Sequence, residues 1–275
     1  MTLVQKTSKQ LLLNLLLWAM IAAFVFPLFW LLLTSLKTRV DAFSYPPKFI
    51  FTPTYDNYRK VLEDGTFLHY YWNSVKVSFL STFFSLLLAL PAAYALARFP
   101  MRKKEDFAFW VLSTRMAPPI MVILPFYLVF KQFNLLDTTF GLVLIYMTFS
   151  LSFILWMMRS YFESIPVDLE EAARIDGLSR LSAFLRVVIP LSAPGIAASC
   201  IFSFIMSWNE FLYSLILTGD KTKTATVAIT GFITFEGIRW GEVAAAGIMV
   251  VLPVLVFGIL IQKYLIQGMT MGGVK

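Results

Sequence analysis

Six long apolar stretches, residues 11–36, 72–97, 107–130, 140–159, 191–217 and 243–265, leave this chain few ways to fold. An α-helix needs roughly 20 mostly apolar residues to cross a bilayer, and it suits that solvent because its backbone groups pair internally. Hydrophobic residues make up 59% of the 275-residue chain and charged residues only 14%, which excludes an ordinary soluble globule. The segments between the runs are too short for a second soluble domain. The expectation is an all-α, polytopic membrane protein with six transmembrane helices and a single membrane domain over 1–275. Lys6 and Lys9 precede the first run as in a secretory signal. That run exceeds the roughly 15 apolar residues of such a signal, and no small-x-small cleavage pattern follows, so it is expected to remain as a span.

An even number of spans puts both termini on one side. Lysines and arginines favour that side, most clearly in the short cluster Arg98, Arg102, Lys103 and Lys104, so the positive-inside rule makes both termini cytoplasmic. The loop 160–190 then also faces the cytoplasm. The formal charge of +7 is accounted for by such flanking residues facing anionic lipid, with no need for nucleic acid. Lys76 is expected to snorkel to the outer interface. The segments 37–69 and 219–241 fall outside, the first with a short helix near 56–63. The second has an apolar core, 226–235, suited to lie on the membrane or to contact a partner.

Cys200 is the only cysteine and His69 the only histidine, and no Ser-His-Asp set or metal-ligand cluster is present. No GxxxxGK[ST] phosphate loop occurs either. The chain is therefore expected to be non-catalytic, to hold no metal or cofactor, and not to hydrolyse nucleotide itself.

The loop 160–190 carries the most specific pattern. Pro166 suits the first turn of a helix, where its missing N–H costs nothing. Asp168, Glu170 and Glu171 place negative charge at that helix's N-terminus, where the dipole favours it. Ala172 and Ala173 are small enough for close approach by another protein, and Asp176 and Gly177 follow, the glycine suited to a left-handed cap. A second helix, near 179–188, spaces Leu181, Phe184, Leu185 and Val188 along one face, with Arg180 and Arg186 on the other. Pro190 is expected to open the next span. The two helices make an elbow.

The run Glu171-Ala-Ala-Arg-Ile-Asp-Gly177, continued by Val187, Ile189 and Pro190, resembles the EAA signature of binding-protein-dependent ABC importer permeases. Val187 and Ile189 replace that signature's Ile and Leu and keep its apolar character. Thr114-Arg-Met-Ala-Pro-Pro119, Leu136-Asp-Thr-Thr-Phe-Gly141, Trp208-Asn-Glu-Phe211 and the tail Gly268-Met-Thr-Met-Gly-Gly-Val-Lys275 extend the similarity to the maltose-permease-like, six-span type I subunits. The resemblance implies a bacterial inner-membrane importer for a sugar or polyol. It implies a second homologous permease, a dimer of ATPases holding ATP and Mg²⁺, and an extracytoplasmic solute-binding protein. It also assigns Glu170, Glu171, Ala172, Ala173, Asp176 and Gly177 to ATPase coupling, and Gly272, Gly273, Val274 and Lys275 to a tail that contacts the ATPases. The loop between the last two spans resembles one that reaches into the binding protein.

Within the spans, Arg115 and Glu210 are costly charges that ought to face a cavity or a partner. Together with Trp208, as a stacking platform, and Asn209, they are the candidate pathway residues. Pro91, Pro118, Pro119, Pro125 and Pro253 are expected to interrupt spans. An ion-coupled secondary transporter is the alternative, but it leads one to expect internal repeats and paired intramembrane carboxylates. A permease for a non-sugar solute would share the elbow without the tail.

Overall fold

The computed structural model describes residues 3–271 apart from 64 and 236. The helices in chain order are α1 (Leu3–Ser35), α2 (Arg39–Ala42), α3 (Asp56–Leu62), α4 (Thr66–Arg98), α5 (Lys104–Ser113), α6 (Pro119–Gln132) and α7 (Thr139–Ser164). They continue with α8 (Asp168–Ile175), α9 (Arg180–Ala183), α10 (Ile189–Leu191), α11 (Ala193–Trp208), α12 (Leu212–Leu217), α13 (Ala225–Ala228) and α14 (Trp240–Met271). A π-helical stretch, Phe184–Val188, joins α9 to α10. Two-residue strands, β1 (Ile233–Thr234) and β2 (Gly237–Ile238), pair antiparallel with Ile233 opposite Ile238.

Among the described residues, four helical segments are long and apolar enough to cross a membrane: Leu12–Ser35, Thr66–Arg98, Thr139–Ser164 and Trp240–Leu260. The pair Arg180–Leu191 and Ala193–Trp208, bent by 75°, makes a fifth candidate. The expected third span, 107–130, is not one helix. It divides into α5 and α6, because Pro119 drives Pro118 out of the helical region (ψ 128°) and then opens α6 from its first position. The expected fifth span, 191–217, also divides, with α11 ending at Trp208 and α12 resuming at Leu212. Pro190 does not open that span; it lies in α10 on the elbow's side of the bend, and Pro194 occupies the first turn of α11. Pro91, Pro125 and Pro253 interrupt nothing and lie inside α4, α6 and α14. Neighbouring helices and local adjustment can satisfy the carbonyls that such prolines free.

The chain forms two compact units, one made of residues up to Phe67 with Ile229–Val251, the other of Leu68–Ala228 with the chain from Leu252 on. In the larger unit one apolar cluster joins Ala89, Ala93 and Leu96 of α4 to Ile154, Met158 and Phe162 of α7 and to Phe184 and Val188. A second cluster joins Val77, Ile123, Phe130, Ile145, Tyr146, Tyr213 and Leu217. In lipid, helices gain little by hiding apolar surface from each other, so close packing and polar contacts hold them. Serines supply both here: Ser207 of α11 meets Ser81 of α4 and Ser150 of α7, each at 3.2 Å, and Ser203 meets Thr82 at 3.3 Å.

In the smaller unit, α3 is fastened to the end of α1. Asn57 Nδ2 donates to the carbonyls of Ser35 and Lys37, both at 2.8 Å, and the Ser35 and Tyr58 hydroxyls meet at 2.8 Å. Lys37 is buried with its ammonium 4.3 Å from the Trp30 ring centre and 5.3 Å from that of Phe51. Burial pushes the Lys37 ammonium below its ordinary pKa, against the opposing effect of Asp41.

Candidate functional site

The elbow forms as two short helices around a glycine. Helix α8 begins at Asp168, so Pro166 lies just before it rather than in its first turn. The helix closes with the paired bonds of a Schellman motif: Leu178 N–H to Ala173 C=O and Gly177 N–H to Arg174 C=O, both at 3.1 Å. Gly177 takes φ +94°, a conformation in which a side chain would be strained. The Ser179 hydroxyl then accepts from the Ser182 N–H and caps α9.

Two bolts fix this elbow to α4. Glu170, assigned to ATPase coupling by the resemblance, is 5% exposed; it accepts from Arg98 Nε at 2.5 Å and from the Tyr94 hydroxyl at 2.7 Å. Arg98 Nη2 also donates to the Ile165 carbonyl at 2.8 Å, holding the end of α7 beside the first turn of α8. Phe184 is the second bolt, with ring centres 4.5 Å from Tyr94 and 6.1 Å from Phe162. The face left free carries Glu171, Ala172, Asp176 and Gly177, with Ala173 half-buried. Ile175, Leu181 and Leu185 are also exposed there, Ile175 to 86%. Ile175 was not singled out from the sequence, and Leu181 and Leu185, expected on one apolar face with Phe184 and Val188, are exposed while those two are buried. Gly272, Gly273, Val274 and Lys275 lie outside the described residues.

The intramembrane charges converge. Arg115 lies in the break between α5 and α6, Glu210 in the break between α11 and α12, and both line one cavity of about 270 Å³ with Thr114, Thr148, Phe149 and Tyr213. Broken backbone at membrane depth is tolerated where it lines a cavity, and here it does. Glu210 Oε1 accepts from the Tyr213 N–H at 3.1 Å, while the Glu210 carbonyl accepts from the Thr226 hydroxyl at 3.0 Å. The Arg115 guanidinium lies 5.4 Å from the Phe153 ring centre and contacts Met206 Sδ at 3.8 Å. Trp208 does not line this cavity: it is 1% exposed, stacked on Phe204 and edge-on to Tyr71. Asn209 is exposed beside the break but is not among the cavity's lining residues.

A third constellation escaped the sequence reading. Asp137, just before α7, accepts from the backbone N–H groups of Gly219, Lys221 and Thr222 and from the Thr222 hydroxyl, at 2.8–3.4 Å. A Cβ on Gly219 would lie 2.7 Å from Asp137 Oδ2, so only glycine allows this approach. Burial raises the Asp137 pKa, but those hydrogen bonds outweigh it and hold the carboxyl below its ordinary value. On the other flank of the same loop, Asn73 Nδ2 donates to the Lys221 and Lys223 carbonyls at 2.9 and 3.2 Å, and Ser74 Oγ accepts from the Ala225 N–H. The segment expected to lie on the membrane or a partner is thus partly internal: Val227 and Ala228 are buried, whereas Phe235 at the hairpin tip is fully exposed.

Comparison with known proteins agrees with this architecture. The sequence profile described as "Binding-protein-dependent transport system inner membrane component" matches residues 85–271. A probable ABC transporter permease of Sinorhizobium fredii is 38% identical over 98% of this chain and 97% of its own length. A trehalose transport system permease of Mycobacterium tuberculosis is 36% identical over 90% of this chain and 92% of its own. The crystal structure of a bacterial ABC transporter involved in import of the acidic polysaccharide alginate has a chain that superposes with a TM-score of 0.81, at 26% identity, over 96% of this chain and 99% of that one. The elbow, the broken spans and these likenesses place the chain in the binding-protein-dependent transport family, as a membrane-embedded, all-α, non-catalytic ABC permease subunit.

Proposed function

We propose that this chain, acting as one permease domain over 1–275, forms part of the translocation pathway of an importer for a sugar or polyol and couples to its ATPase through the elbow. The observation that carries the coupling role is mechanical. An exposed, small-residue tip at Ala172–Gly177, flanked by exposed Ile175 and Leu181, is joined to α4 by the Glu170–Arg98–Tyr94 bolt. A partner that moves the tip therefore moves α4. ATP and Mg²⁺ belong to that partner, a pair of ATPases. Their closure on ATP carries the elbow and swings the attached spans between inward-open and outward-open arrangements, a rigid-body switch biased by nucleotide. A second permease and an extracytoplasmic binding protein complete the assembly, and both termini are cytoplasmic. The sugar class is supported by the trehalose permease, similar to this chain over nine-tenths of its length.

The pathway role falls to the cavity shared by Arg115 and Glu210. Both groups can hydrogen-bond hydroxyls while staying hydrated, and the helix breaks leave backbone carbonyls beside them. Trp208 supports the packing around α11.

Substituting Ile175→Glu and Ala172→Trp tests the coupling. Both should insert in the membrane normally, lose co-purification of the ATPase, and abolish uptake. Wild-type co-purification with both variants would refute the assignment.

A further inference from the structure

Beyond the intramembrane cavity, the smaller unit holds a second, polar cavity of about 400 Å³ lined by α2, α3 and the start of α14. Its walls include Glu242 and Asp56, the cations Arg39, Lys60 and Arg239, and Trp240. Glu242 is 8% exposed, and no hydrogen bond or ion pair holds its carboxylate among the described residues. Glu242 lines the cavity and offers hydrogen-bond acceptors to whatever enters it.

We propose that this cavity is a saccharide site on the outer face of the permease, taking one or two neutral sugar rings. The lining decides the ligand class. A net anion would meet Glu242 and Asp56, and a net cation would meet Arg39, Lys60 and Arg239. Hydroxyl groups, which donate and accept, satisfy both sets together. Trp240, 44% exposed at the wall, offers an apolar ring face to the C–H side of a sugar. A volume of about 400 Å³ lies in the range of small-molecule sites. A zwitterionic lipid headgroup would match the charges but would need an acyl groove, and among the lining residues only Ala42, Phe43 and Trp240 are bulky or apolar enough to contribute one.

The ligand class also rests on the sugar-import reading, so the experiment separates the two. The assembled transporter is reconstituted in lipid nanodiscs without the binding protein. Amide hydrogen exchange is then read over 38–43 and 239–243 with trehalose, maltose or glycerophosphoethanolamine added. Protection by a neutral disaccharide, weakened about ten-fold or more in apparent affinity by Glu242→Gln and by Lys60→Ala, is the expected result. Unchanged melting of both variants shows that they are folded, and Lys60 on the rim serves if Glu242→Gln is not. Absence of protection by either sugar, equal affinity in the variants, or protection by glycerophosphoethanolamine alone overturns the proposal. If uptake and ATPase co-purification persist in that event, only this site falls and the import reading stands.

Discussion

Removing Glu170 is the sharpest test of how the elbow is held. Its side chain is 7% exposed and that of Arg98 10%, so the pair is buried on both sides. Breaking a buried pair by deleting one partner typically costs about 3–5 kcal/mol, because the other charge is left uncompensated. In Glu170→Ala, Arg98 keeps only the Ile165 carbonyl, and the Tyr94 hydroxyl loses its acceptor. The cost should appear as local opening of the elbow rather than as global unfolding, since Phe184 and α7 remain packed. At 1.4 kcal/mol per factor of ten, protection of the 168–178 amides should fall by about two to three and a half orders of magnitude in hydrogen exchange, with uptake lost in parallel. The double variant Arg98→Met/Glu170→Met removes both charges and should recover much of the protection lost by either single change. Wild-type protection in Glu170→Ala, or a double variant worse than both singles, would refute the bolt.

Three further outcomes are expected. Gly177→Ala places a Cβ on a residue at φ +94°, at a cost of about 1–2 kcal/mol, and should weaken ATPase co-purification without changing membrane insertion. Glu210→Gln keeps an acceptor for the Tyr213 N–H and should leave melting unchanged while lowering uptake, whereas Glu210→Ala should lower both; equal uptake in both variants removes Glu210 from the pathway. Asp137 has a folded pKa below its ordinary value of about 3.9, so its stabilisation is complete at neutral pH and is lost only as pH falls through the folded value. Melting curves from pH 7 to pH 3 should therefore show Asp137→Asn destabilised at neutral pH and converging on wild type in acid; a constant gap contradicts the clamp.

What the sequence made legible was local. Gly177 as a helix end and the short helix at Asp56–Leu62 follow from residue types acting on their own backbone. The apolar runs located the long helices, because span length answers to bilayer thickness and little else. The burial of Glu170 was hidden for a non-local reason. At the first turn of a helix a glutamate reads as a dipole partner, and nothing nearby announces that Arg98, 72 residues earlier, will claim it. Asp137 was passed over likewise, since its partners lie more than 80 residues away. Trp208 reads as a stacking platform until Tyr71 and Phe204 are seen to enclose it.

The helix breaks show why hydropathy alone could not find the cavity that Arg115 and Glu210 line. A window of 20 apolar residues scores the same whether its helix is continuous or not, yet a break frees N–H and C=O groups that lipid cannot satisfy. The break at 209–211 is repaired by Glu210 itself, whose carboxylate takes the Tyr213 N–H and whose carbonyl is taken by Thr226. A charge that would be expensive on a continuous span becomes tolerable because it replaces missing backbone partners. Glu210 lines the same cavity that Arg115 lines from the other break. Cavity lining and backbone repair therefore fall on the same residue, and both charges at this cavity lie at helix breaks rather than in the four long helices.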